Sequence, residues 1–140
     1  MNQTLITSNI EFDKLSQAVS SQNVPEIVLS ALSLASNLKV SDVHIQPESD
    51  QVYLRFRIDG VLHDVIQFPS MIHPAIVSRV KIISKLKIDE TRIPQDGHAN
   101  VITQDKKQMD LRISTLPTIN GEKVVMRLVD RSKDIPSLQQ

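Results

Sequence analysis

Arg112, in the segment DLRIST (110–115), and Arg127, in the segment VVMRL (124–128), are the residues whose type and spacing most suit chemistry. Asp110, Arg112 and Ser114 alternate with Met109, Leu111 and Ile113. Lys123, Val125 and Arg127 alternate in the same way with Val124, Met126 and Leu128. A period of two is that of a strand with one apolar and one polar face. Joined as a hairpin with Thr115 opposite Glu122, the two segments set Arg112 against Val125 and Arg127 against Asp110, so that the arginines stand diagonally on one face. Two adjacent guanidinium groups repel unless a carboxylate or phosphate accepts from both. The simpler reading, an ordinary cross-strand ion pair between Asp110 and Arg127, is the one that spacing alone favours over a phosphate-facing pair.

Other chemistries find less support. His44, His63, His73 and His98 have no ligand spacing with one another or with carboxylates, so no metal site is expected. There is no GxSxG, and Asp89-Glu90 beside a basic helix end reads as charge balance. The chain has no cysteine, which excludes thiolate zinc sites, disulfides and cysteine nucleophiles. Its three glycines, Gly60, Gly97 and Gly121, each follow Asp or Asn as turn residues, and neither GxxxxGK[ST] nor GxGxxG is present. Basic and acidic residues balance at 16 each, but residues 1–50 hold two basic against six acidic and residues 51–140 hold fourteen against ten. The second part is therefore expected to face something anionic. A long nucleic acid is not expected, because the pI is about 6.9 and only four aromatics exist for base stacking.

The elements that must position these residues follow from periodicity. A chain of 140 residues is the size of one domain. Residues 1–24 are rich in Ser, Gln and Asn and read as a loosely ordered lead-in. Pro25, with Asn23 as cap, opens a helix over 25–38. Val43 and Ile45 then alternate with Asp42, His44 and Gln46 in a short strand. Val52, Leu54, Phe56 and Ile58 form a second, and Asp59-Gly60 turns it into a third that Pro69 breaks. The spacing of Ile72, Ile76, Val80, Ile83 and Leu86 predicts a helix over 71–87, with Arg79, Lys81, Lys85 and Lys87 on a solvated face. A turn-rich connector, ETRIPQDG (90–97), leads to Ala99–Ile102. A polar turn over 104–107 precedes the DLRIST strand, and the loop LPTING (116–121) precedes the last one. No apolar run is long enough for a membrane span, and the N-terminus lacks the features of a signal peptide. The expected fold class is α+β: about six antiparallel strands with two main helices, 25–38 and 71–87.

Taken together, SDVHIQP (41–47), RFRIDGVL (55–62), SRVKIISKLKIDETRIPQDG (78–97), DLRIST (110–115) and GEKVVMRLVD (121–130) resemble the ATPases of type II secretion and type IV pilus assembly. The match runs in unbroken order over residues 25–131 and is to the PAS-like domain lying immediately N-terminal to their nucleotide-binding domain. The resemblance implies that residues 132–140 are a linker toward a P-loop ATPase domain, where ATP and Mg²⁺ would be held; no cofactor is expected in this chain alone. It implies that Arg112 and Arg127 reach the nucleotide phosphates, that Arg92 is a further candidate, and that Gln95, Asp96 and Gly97 hold the PQDG turn. Expected partners are the ATPase domains of the same and neighbouring subunits of a hexamer, with membrane platform proteins of the machine as further candidates. The expected location is the cytoplasm, peripheral to the inner membrane through partners. The lead-in is too short for the extra N-terminal domain of many relatives. This chain departs from the family pattern at Thr91, where a basic residue is common, at His98, where an arginine is usual, and at Gln46, where an acidic residue is usual. Arg112 and Arg127 match. A PAS-like sensor or protein-interaction adaptor is the alternative; it would bury a ligand cavity where a motor domain would have a filled core.

Overall fold

The computed structural model describes residues 6, 9–103 and 106–130. The proposed linker 132–140 and residues 104–105 of the polar turn lie outside the described residues. In chain order the elements are α1 (Ile10–Ser20), α2 (Val24–Asn37), β1 (Asp42–Pro47), β2 (Gln51–Ile58), β3 (Val61–Pro69), a 3₁₀ turn (Ser70–Ile72), α3 (His73–Ile83), β4 (Gln95–Ile102), β5 (Gln108–Thr118) and β6 (Gly121–Asp130). The six strands make one sheet in the order β3-β2-β1-β6-β5-β4, and every neighbouring pair is antiparallel. The chain's first and last strands are thus paired at the centre. This is an α+β fold of the PAS-like kind.

The sheet has two unlike faces because each strand alternates. Val43, Ile45, Leu54, Phe56, Leu111, Ile113, Val124 and Met126 are buried in a single apolar core shared with Leu32, Ala35, Ile76 and Val80 of α2 and α3. Burial of aliphatic side chains at roughly 1.5–3 kcal/mol each is what holds the helices on this face. The other face is polar, and Arg112 and Arg127 lie on it, exposed.

Residues 10–20, expected within a loosely ordered lead-in, form a helix instead. Asn9 caps it by accepting from the Glu11 amide at 2.8 Å, and Glu11 and Asp13 in the first turn suit the helix dipole. Leu15 and Ala18 are buried in the common core. α2 begins where Asn23 and Pro25 indicate, the Asn23 side chain accepting from the Glu26 amide at 3.3 Å.

α3 stops at Ile83, four residues short of the expected end. The Ser84 hydroxyl donates to the Val80 carbonyl at 2.7 Å, Lys85 takes a left-handed conformation (φ 60°), and the Leu86 amide closes back on the Lys81 carbonyl at 2.9 Å. Such a closure is usually made with glycine. The apolar period continued to Leu86 because the chain folds Leu86 back toward the sheet rather than along the helix. Lys81 is a second correction: it is not on a solvated face. Its side chain is 1% exposed, and its ammonium donates to Glu122 Oε1 at 2.9 Å and to the Glu90 carbonyl at 2.7 Å.

Gln95, Asp96 and Gly97, expected as turn residues, open strand β4. Their roles differ accordingly. The Gln95 amide clamps the connector from within the strand, accepting from the Lys87 amide and donating to the Lys87 carbonyl, both at 2.9 Å. Asp96 accepts from the Ser114 hydroxyl across the β4–β5 pair at 2.8 Å. Gly97 is required by close approach: a Cβ there would lie 2.8 Å from Leu86 Cδ2 and 3.0 Å from the Ser84 carbonyl oxygen. Gly60, by contrast, is a turn glycine (φ 82°) following Asp59 at φ 51°, the positive-φ pair a two-residue hairpin needs.

Candidate functional site

The β5–β6 hairpin turns tightly between Thr118 and Gly121, so strand pairing extends through what reads as the LPTING loop. The Asn120 amide donates to the Thr118 hydroxyl at 3.2 Å and braces the turn. The register is therefore two residues from the expected one. Thr115 pairs with Val124, Ser114 with Val125, and Arg112 with Arg127 directly. The arginines are opposite each other rather than diagonal, with backbones about 4.5–5.5 Å apart.

The ion pair expected between Asp110 and Arg127 gives way to a different one. Asp110 lies opposite Val129 and accepts from Asn100 Nδ2 at 2.6 Å. Arg127 finds its carboxylate on the strand at its other side. β1 pairs with β6 so that Asp42 is opposite Arg127, and with β2 so that Asp42 is also opposite Arg57. Arg127 Nε donates to Asp42 Oδ1 at 3.2 Å, and Arg57 Nε lies 3.6 Å from Asp42 Oδ2. Arg57 Nη1 donates in addition to the Gly60 carbonyl at 3.1 Å.

One row thus crosses five strands: Arg57, Asp42, Arg127, Arg112 and His98. It carries one carboxylate for three guanidinium groups. Like charges directly opposite on a sheet are destabilising, and Arg112 makes no ion pair or side-chain hydrogen bond among the described residues. The Arg127 side chain is 68% exposed, and its Nε contact with Asp42 leaves both terminal amines to solvent. The row can accept an anion at Arg127 and Arg112, which stand opposite each other and each carry a fork of donors.

His44 is beside this row, opposite Arg55 and Val125 and buried on the polar face. Burial lowers its pKa, and the charges of Lys123 and Arg57 lower it further against the opposing pull of Asp42. Arg55 is held apart from the row by Asp64, 2.7 Å away, and by the Tyr53 ring beneath it. Arg92 is not a member of the row. It is exposed on the connector, where its amide donates to Glu90 Oε1 at 3.0 Å. Thr91 belongs to that connector as well, whereas His98 stands next to Arg112 at the row's end.

Asp42 and Arg57 are the members that sequence reasoning missed. Alternation puts both on polar faces, but only the β1–β6 pairing, between segments 85 residues apart, brings Asp42 to Arg127. Among the described residues no three His, Cys, Asp or Glu gather as a metal site, and no helix is long and apolar enough to cross a membrane.

Comparison with known proteins gives this geometry its context. The chain is 42% identical over 126 residues to the type IV pilus assembly ATPase PilB of Myxococcus xanthus, covering 90% of this chain and 22% of that protein. It is 41% identical over 125 residues to the type II secretion system protein E of Xanthomonas campestris, covering 89% and 22%. The chain therefore spans about a fifth of the length of these curated relatives. Among solved structures, the Legionella pneumophila ATPase DotB has a similar fold at a TM-score of 0.50 and 12% identity, covering 71% of this chain and 28% of that one. A family model described as type II/IV secretion system protein matches residues 17–140, and the chain belongs to that family.

Proposed function

We propose that this chain is the catalytic-assist domain of a hexameric traffic ATPase that powers type II secretion or type IV pilus assembly in the cytoplasm. Arg112 and Arg127 approach the phosphates of a nucleotide bound by the ATPase domain of the same or a neighbouring subunit. The ATPase domain, with ATP and Mg²⁺, supplies the phosphoryl-transfer chemistry, and this domain supplies donors that move with it as a rigid body. The observation that carries the reading is the direct opposition of Arg112 and Arg127 on an exposed face, with Arg112 left without a counter-charge. The sheet keeps both guanidinium groups in place at a cost in mutual repulsion, which an arriving phosphate relieves. A mobile arginine that stabilises charge on a transferring phosphoryl group accelerates such reactions by about 10³–10⁵-fold in other phosphoryl-transfer systems.

The test uses the longer protein that includes the ATPase domain. Arg112→Ala and Arg127→Ala are each expected to lower ATP turnover about tenfold or more, with the domain still folded by circular dichroism. Turnover at the unaltered rate in both variants removes the mechanism.

A further inference from the structure

We propose that Asp42 is the positioning residue of this anion site: it grips Arg127 by the Nε edge and so aims the two terminal amines at the phosphate. The inference rests on the phosphate reading above and adds to it the residue that makes one of its arginines directional.

The geometry separates Asp42 from an ordinary surface carboxylate. Its side chain is 11% exposed, set between β2 and β6, while its partners on either side are 37% (Arg57) and 68% (Arg127) exposed. A carboxylate in that position is fixed by the sheet, so it acts as an anchor for longer and more mobile side chains. Its two oxygens are divided, Oδ1 to Arg127 at 3.2 Å and Oδ2 to Arg57 at 3.6 Å. Arg57 is in turn tied to the Gly60 carbonyl at the β2–β3 turn, which holds the carboxylate from the side away from the site. Because Arg127 is engaged at Nε rather than through its terminal fork, the part of the guanidinium best suited to a phosphate stays free. Arg112 has no such anchor among the described residues.

This arrangement predicts an effect of unusual sign. Asp42 is a negative charge next to an anion site, so by charge alone its removal tightens anion binding. If it positions Arg127, its removal loosens anion binding in spite of the added positive charge. The experiment is a titration of the 140-residue chain with inorganic tripolyphosphate, followed by the Nε–Hε resonances of arginine, for wild type, Asp42→Ala, Asp42→Asn and Arg127→Ala. The expected result is binding by wild type that weakens about fivefold in Asp42→Ala, the net scale of one ordinary hydrogen bond. The Arg127 Nε–Hε signal should shift, and weakening should be smaller in Asp42→Asn, which keeps an acceptor. Should Asp42→Ala fail to fold, the isosteric Asp42→Asn carries the test with the same expected direction. Unchanged or tighter binding in the Asp42 variants, with Arg127→Ala still impaired, overturns the positioning role and leaves the phosphate reading standing. Absence of tripolyphosphate binding by wild type, or no effect of Arg127→Ala, overturns the positioning role, while the phosphate reading stands or falls by the turnover of the longer protein.

Discussion

Replacing Lys81 with methionine should be among the most damaging single changes the fold can suffer. The ammonium is sealed beneath α3 with a side-chain exposure of 1%, and it neutralises Glu122, whose side chain is 9% exposed. Glu122 Oε2 already lacks a hydrogen-bond partner, so Lys81→Met leaves a buried carboxylate with neither counter-charge nor donor. The Glu90 carbonyl is less affected, because Gln95 Nε2 also donates to it at 3.2 Å. Breaking a buried pair from one side costs about 3–5 kcal/mol, against a total stability of about 5–15 kcal/mol for a domain. For a chain of this size that is a fall of about 10–20 °C in melting temperature. Removing both charges, in Lys81→Met with Glu122→Gln, should recover much of the loss, since the cost resides in the orphaned carboxylate rather than in the missing contact. Urea denaturation followed by circular dichroism gives all three stabilities. A loss below about 1 kcal/mol in the single variant, the range of an exposed ion pair, would refute the burial argument.

Gly97→Ala should destabilise by about 1–3 kcal/mol, because the Ser84 carbonyl at 3.0 Å cannot yield as Leu86 can; an unchanged urea midpoint contradicts this. His44 and His73 both have pKa values lowered chiefly by burial, so the folded state binds fewer protons than the unfolded one. The stability they contribute is present above about pH 6.5 and is lost as pH falls through their lower folded values. Urea midpoints at pH values on either side should show that loss, and a His44→Gln/His73→Gln variant that loses as much stability on acidification rules these groups out as its source. Arg127→Lys keeps the charge but neither the Nε contact with Asp42 nor the terminal fork, so turnover of the longer protein should fall nearly as far as with alanine. Near-normal turnover would show that charge alone suffices.

Much of the fold is legible in the sequence because alternation and capping are local. The strand faces follow from period two, α2 starts at Asn23 and Pro25, and Asp59-Gly60 makes the turn its residues suit. What local patterns cannot set is an offset of two. The pairing of Thr115 with Val124 rather than Glu122 leaves every side chain on its own face, so alternation is blind to it, and the turn at Ile119-Asn120 decides. The same blindness hides Asp42, whose partner is fixed by the β1–β6 pairing at the centre of the sheet. Lys81 looked like its basic neighbours because a helix stripe shows which way a residue points, not that Glu122 waits there. The helix at 10–20 was masked by Ser and Gln on its exposed side, though Asn9, Glu11, Leu15 and Ala18 carry its cap and its buried stripe.

The central claim is that Arg112 and Arg127 meet phosphate, and a structure of the longer protein with a non-hydrolysable ATP analogue tests it most directly. The account predicts donors of both guanidinium groups about 3 Å from phosphate oxygens, with Asp42 still holding Arg127 by Nε. A nucleotide bound while the polar face of the sheet, with its arginine row, is turned to solvent in every subunit would contradict it.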